Sequence, residues 1–221
     1  SPLGSEEFVK KYLEESVEKC RVISEQLPRL EDNMSSYILT RSCLGLSKFN
    51  FHLRTIDCSQ FPAILTKFDT MMRDNINSIV GSVLSNTSYD QACLPVSLSG
   101  LGIKRVTDHK LCAYVASIVS SLPNVLGLIG GGEAVGGDSD DDGDDNVRLA
   151  ARLITPAVLA ELAVDTGEEA DLAALLAGTT NKILARKVDE KLHRQLVESL
   201  EGDTRNLARI AGLCLPRTGD W

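Results

Sequence analysis

Long apolar runs are missing from this chain. Its longest apolar stretches, such as Leu111 to Ile118, are broken by Ser, Gly or Pro well short of the roughly 20 residues that a membrane span requires. No transmembrane helix and no membrane partner are expected. Cysteine patterning is missing too. The six cysteines, at positions 20, 43, 58, 93, 112 and 214, form no C-x-x-C and no Cys/His cluster, so they fit neither a zinc site nor a compact disulfide framework. Several fall on apolar helix faces, as free thiols do, which places the chain in a reducing intracellular compartment, cytoplasmic or nuclear. The first five residues lack the basic-then-apolar layout of a signal peptide. Ser1-Pro2-Leu3-Gly4-Ser5 reads as the scar of a removed purification tag, and the chain closes on Trp221 with nothing after it to pack on. Both ends read as boundaries of a larger parent.

Catalytic constellations are equally scarce. No aromatic-x-Asp-Asp and no G-x-S-x-G occurs, and His52, His109 and His193 stand far apart with no ligand pair or nucleophile beside them. Gly100-Leu101-Gly102 has no Lys-Ser/Thr or third glycine to open a phosphate-cradling helix, so its glycines serve a turn. Asp138-Ser139-Asp140-Asp141-Asp142-Gly143 matches the opening of a calcium loop. The rest of that loop fails, since Leu149 stands where a bidentate Glu is needed and Asp145 where an apolar residue is needed. Two-metal chemistry needs carboxylates held rigidly, which a Gly/Asp coil cannot provide. The expectation is no catalytic residue, no metal and no cofactor in this chain.

What is present begins with the charge. The net charge is −8, and it is concentrated. Residues 123 to 146 hold seven acids and no base, residues 6 to 122 hold 13 of each sign, and residues 147 to 221 hold ten bases and 11 acids. The acidic segment reads G-G-G-E-A-V-G-G-D-S-D-D-D-G-D-D-N, a composition too poor in apolar surface to offset its ordering entropy. It divides residues 6–128 from residues 147–221 as a flexible linker over 129–146. The folded parts are close to neutral and are not barred from nucleic acid.

Periodicity makes the chain mainly α, a helical bundle in two parts. Phe8, Tyr12 or Leu13, Val17, Cys20 and Ile23 or Ser24 recur at steps of three and four between Glu6 and Gln26, ahead of Pro28. Asp32-Asn33 starts a second helical pattern that bends or breaks at Gly45 before Leu46 to Arg54. Ser59 is placed to cap a third helix with Pro62 in its first turn and Ile64, Leu65, Phe68, Met71 or Met72, Ile76, Ile79, Val80 and Val83 along one stripe. Around residues 93–104 apolar residues alternate about a Ser-Gly, which predicts a short extended or β-hairpin-like segment. Thr107-Asp108 should cap a helix over Leu111 to Ser121 that ends at Pro123. Further helices are expected over Asn146–Leu153, Pro156–Val164, Glu168–Ala177, Asn181–Glu201 and Thr204–Leu213.

Two cationic groupings are candidates for phosphate contact. If the chain is helical through Gly45, Arg41, Lys48 and His52 share one face at steps of seven and four, while Leu39, Leu46, Phe49 and Leu53 form another. Lys104-Arg105 with His109-Lys110 brackets a helix start, and such a stripe can follow a nucleic-acid backbone. An ordinary solvated face explains the same residues, since no broad basic field surrounds them. Lys187, Lys191 and Arg194, interleaved with Asp189 and Glu190, read as a solvated helix face.

Several of these pieces together resemble the reverse-transcriptase-like proteins of non-LTR retroelements, in the region that follows the polymerase palm. The likeness is carried by Leu39-x-Arg41-Ser42-Cys43, Leu53-Arg54-Thr55, Leu94-Pro95-x-x-Leu98-x-Gly100-Leu101-Gly102 and Ala113-Tyr114-x-Ala116-Ser117, with a closing Leu215-Pro216 and Gly219-x-Trp221. It covers about residues 27–122 and 206–221. Ser99 departs from the family, which more often has Gly there. The resemblance implies a helical thumb or connection region packed beside a palm that lies elsewhere in the parent chain. That parent would be an RNA-directed DNA polymerase, and the fragment itself would be non-catalytic. Arg41, Lys48, His52, Lys104 and Arg105 would then contact an RNA/DNA primer-template duplex. The rival expectation is a helical interaction module whose apolar grooves take a protein partner and no nucleic acid.

Overall fold

The computed structural model of the chain describes residues 4–129, 154, 156–166 and 180–214. The acidic segment with its Asp138–Gly143 run, the helices expected over 146–153 and 168–177, and the closing Leu215–Trp221 lie outside them. Among the described residues every regular element is helical.

Helix α1 (Glu6–Ser24) starts where the Ser5 hydroxyl accepts the Phe8 amide, with Glu6 and Glu7 at its positive end. Ser5, set aside above as tag remnant, is thus the cap of the first helix. Leu13, Val17, Cys20 and Ser24 form its buried stripe. A 3-10 turn with Pro28 follows. Asp32 then caps α2 (Asn33–Leu39) by accepting the Met34 and Ser35 amides. The next turn, Thr40–Leu44, is a π turn, and Gly45 (ψ −147°) breaks the backbone before α3 (Leu46–Thr55). Helix α4 (Pro62–Val80) has Pro62 in its first turn and stops at Gly81, whose φ of 73° favours glycine. Then come α5 (Asn86–Cys93), α6 (Val106–Ile129), α7 (Pro156–Thr166), α8 (Asn181–Ser199) and α9 (Thr204–Leu213).

Two apolar clusters organise these helices. The first lies among α1, α3 and α4 and holds Leu13, Val17, Phe49, Leu53, Leu65, Phe68, Met72 and Ile76. The Phe49 and Phe68 rings pack at 4.9 Å, and full burial of each contributes about 2 kcal/mol. The second is built on α6, where Leu111, Cys112, Val115, Ala116 and Val119 meet Ile154, Val158, Leu162, Leu184 and Val188. The parts on either side of the acidic segment therefore share a core. A smaller group, Leu94, Leu196 and Ile210, seats α9.

Four local expectations need correction. Residues 93–104 form no hairpin: α5 runs to Cys93, Val96–Leu98 is a 3-10 turn, and the chain folds back on the end of α5 with the Gly102 amide donating to the Leu94 carbonyl at 2.7 Å. The alternation of apolar residues does not mark a buried face, since Leu94 and Ile103 are buried while Val96 and Leu101 are exposed. Ser59 caps nothing. Asp57 instead accepts the Ser59 amide and α4 starts without a side-chain cap. Helix α6 begins at Val106, and its cap comes from a distant helix: Asp69 accepts the Val106 amide at 2.8 Å and the Thr107 amide and hydroxyl at 3.1 and 2.6 Å. Finally, α6 runs through Pro123. Burial of Val119 and Leu122 on the preceding turn outweighs one missing backbone bond.

Candidate nucleic-acid interface

The cations nominated by the sequence fall in separate places. Lys104 reaches across to α8 and donates to Asp189 Oδ2 at 2.6 Å. Arg105 lies between Asp90 and Asp108, at 2.7 and 2.6 Å. Burial works against its charge, but the two carboxylates raise its pKa and keep the guanidinium firmly protonated. Both residues therefore face carboxylates of this chain. Of their neighbours, Lys110 pairs with Glu161 of α7 at 2.6 Å, and His109, only 2% exposed, places Nε2 at 3.3 Å from Asp189 Oδ1. That contact lies off the line of a good hydrogen bond, and His109 Nδ1 is buried with no hydrogen-bond partner.

Asp189, read above as part of a solvated face, is 4% exposed and joins α8 to α6. Burial pushes its pKa up, yet His109 and Lys104 outweigh this and hold the carboxyl below its ordinary value. The signal that identifies it is spacing. Positions 189, 192 and 196 follow helical steps, so Asp189 shares a face with half-buried Leu192 and buried Leu196.

Arg41 is exposed and sits over the loop after α5. Its Nη1 is 3.5 Å from the Tyr37 hydroxyl, which itself donates to the Leu101 carbonyl at 2.6 Å. Gly102 (φ 73°) lies directly beneath, where an added Cβ would come 2.9 Å from Arg41 Nε. Gly100 is tighter still, since a Cβ there would meet the Leu94 carbonyl oxygen at 1.9 Å. Ser99 adopts φ 68°, a conformation that glycine enters at less cost. Its hydroxyl donates to the Ile210 carbonyl at 2.8 Å and lies 2.9 Å from Cys214 Sγ, so the thiol is the donor to it.

Lys48 and His52 are elsewhere, on α3 facing α1. The π turn and the break at Gly45 interrupt the helix that would have put Arg41 in line with them, so the single cationic stripe does not form. Lys48 is exposed. His52 is half-buried among Tyr12, Phe49 and Phe51, with ring centroids at 5.4, 5.1 and 5.8 Å. Burial lowers its pKa and the Lys48 charge adds to this, so His52 is neutral near pH 7 and brings no charge to a phosphate.

No family model, curated protein or solved structure matches the chain.

Inside the fold, the described segments within residues 39–117 that carried the resemblance come together. Arg41 meets Gly102. Leu53 and Ala113 belong to one apolar cluster, and Asn50 and Arg54 face Ala116 and Ser117 across a cleft of 220 Å³. The small side chains at 113 and 116 let α3 approach α6 closely. Thiol chemistry is quiet here: burial pushes Cys58 and Cys93 each up to about 12. All six cysteines are free. Among the described residues no helix is long and apolar enough to cross a membrane.

Proposed function

We propose that this chain is the helical, non-catalytic region that follows the palm in a reverse-transcriptase-like protein, and that it contacts a primer-template duplex through the surface centred on Arg41. The observation that carries this reading is the seating of Arg41. It belongs to one resembling segment, lies on the glycine of another, is exposed, and has no carboxylate partner among the described residues. Lys48 extends the cationic surface from α3 as a second, separate contact. The parent would be an intracellular RNA-directed DNA polymerase of the cytoplasm or nucleus, in keeping with six free thiols, and its catalytic carboxylates would lie in the palm.

The test is binding to an RNA–DNA hybrid over a range of salt. Arg41→Ala with Lys48→Ala should weaken binding and reduce the salt slope by roughly 0.9 for each phosphate that is no longer neutralised. Affinity at low salt no better than that of an unrelated acidic protein sinks the reading, as does an unchanged slope. One observation favours a protein partner instead: Met34 and Ile38, at 63% and 51% exposure, lie one turn apart on α2. Under that alternative, Met34→Glu with Ile38→Glu abolishes partner capture and leaves hybrid binding untouched.

A further inference from the structure

The groove between α1 and α3 encloses 570 Å³, within the roughly 300–1,000 Å³ of small-molecule sites. Its walls are unusually aromatic for this chain. Of ten aromatic residues in the whole sequence, Tyr12, Phe49 and Phe51 surround the His52 ring edge-on, and Tyr12, Phe49 and His52 line the groove. On the α1 side lie Val22 and Ile23, at 48% and 45% exposure. Apolar surface of this kind gains from being covered.

Charge then narrows the class of ligand. Lys19 and Lys48 stand on opposite sides of the groove, both exposed and neither with an ion-pair partner among the described residues. Glu18 also borders it, but both of its carboxylate oxygens lie 3.0 Å from Arg21 Nε, and that pairing holds its pKa below the ordinary value. The rim therefore offers two ammonium groups against one satisfied carboxylate. By contrast, the 720 Å³ groove between α1 and α4 carries Arg21 and Lys67 against Glu25 and Asp74, with no excess of either sign.

We propose that the α1/α3 groove is a binding site for a small aromatic anion, an aryl carboxylate or sulfonate whose ring lies against Tyr12 and His52 while its charged group meets Lys19 and Lys48. Edge-to-face packing suits a flat ring at this wall, and a neutral His52 leaves the positive charge to the two lysines. Burial of Val22 and Ile23 supplies the apolar part of the affinity.

The experiment uses the whole chain and the fluorescent probe 8-anilino-1-naphthalenesulfonate. One saturable site is expected, displaced by naphthalene sulfonate. Lys19→Gln and Lys48→Gln together should weaken it about tenfold, the scale of two exposed ion pairs. Lys19→Gln alone should weaken it about threefold on the same scale and leave duplex binding as it was, which separates this site from the Arg41 surface. Lys67→Gln, in the neighbouring groove, should change nothing. Uncharged N-phenyl-1-naphthylamine should bind the wild-type and lysine variants alike. Non-saturable binding, affinity unmoved by the two lysine changes, or displacement by a mononucleotide but not by naphthalene sulfonate would overturn the proposal.

Discussion

Asp69 and Asp189 are both buried carboxylates, and each joins two helices, yet they do so by opposite means. Asp69, at the edge of the α1–α3–α4 core, accepts only neutral donors from the start of α6. Burial raises its pKa despite those bonds. Asp189, where α8 meets α6, has a lysine and a histidine, and its pKa is lowered. Neutral backbone donors satisfy a carboxylate without cancelling its charge, whereas cations do both. The first core thus lends a carboxylate of α4 as the cap of α6, and where α8 meets α6 ionic contacts are added to the apolar packing.

The largest effect should come from Phe68→Ala, which empties the centre of the first core and destabilises it by about 3–5 kcal/mol in a denaturant melt. Next, Asp189→Ala leaves Lys104 half-solvated and His109 buried without its carboxylate, at about 3 kcal/mol. Hydrogen exchange should show α8 losing protection while α1 and α4 keep theirs. Equal loss in all three helices would mean that the two regions unfold as one unit and would break the comparison.

The pH response sharpens the same contrast. Asp189, with its depressed pKa, contributes stability that is full above the ordinary carboxylate range and is lost as pH falls through the folded-state value. Asp69, with its raised pKa, contributes most at low pH and less as pH rises through its folded-state value. Exchange measured from about pH 5 down to about pH 2, the range in which a depressed carboxylate loses its contribution, should therefore show α8 loosening on acidification, and Asp189→Asn should flatten that dependence. Smaller still, Gly102→Ala forces a side chain to φ 73° and into Arg41, at about 1–2 kcal/mol, with a loss of hybrid affinity if Arg41 is the phosphate contact. Least of all, Lys110→Ala removes a pair whose Glu161 is 41% exposed and should cost under about 1 kcal/mol.

Helix content was largely legible in the sequence. The periodic apolar stripes of α1 and α4, the cap at Asp32 and the whole of α9 follow from local spacing alone. The misreadings of Ser59 and Pro123 have local grounds, whereas the others depend on a partner far away in the chain. Asp69 caps a helix 37 residues on, Lys104 finds its carboxylate 85 residues away, and the 94–104 loop is fixed by contacts to α5 and α9. Of the candidate site, Arg41 and Lys48 remain as separate exposed cations. Lys104 faces an acid that no local pattern could reveal, Arg105 has one acid at a legible i,i+3 spacing and one, Asp90, that is not, and His52 sits in a ring of aromatics drawn from two helices.

The π turn at Thr40–Leu44 works like a shim in a shaft coupling. A π turn closes over one residue more than an α turn, and the break at Gly45 directly after it frees α3 from the helical phase of the segment before it. Phe49 and Leu53 can then fill the core while Arg41 stays exposed over the loop after α5. The turn and the break together therefore set two surfaces at once, placing Phe49 of α3 inward and leaving Arg41 to a separate neighbourhood of the molecule.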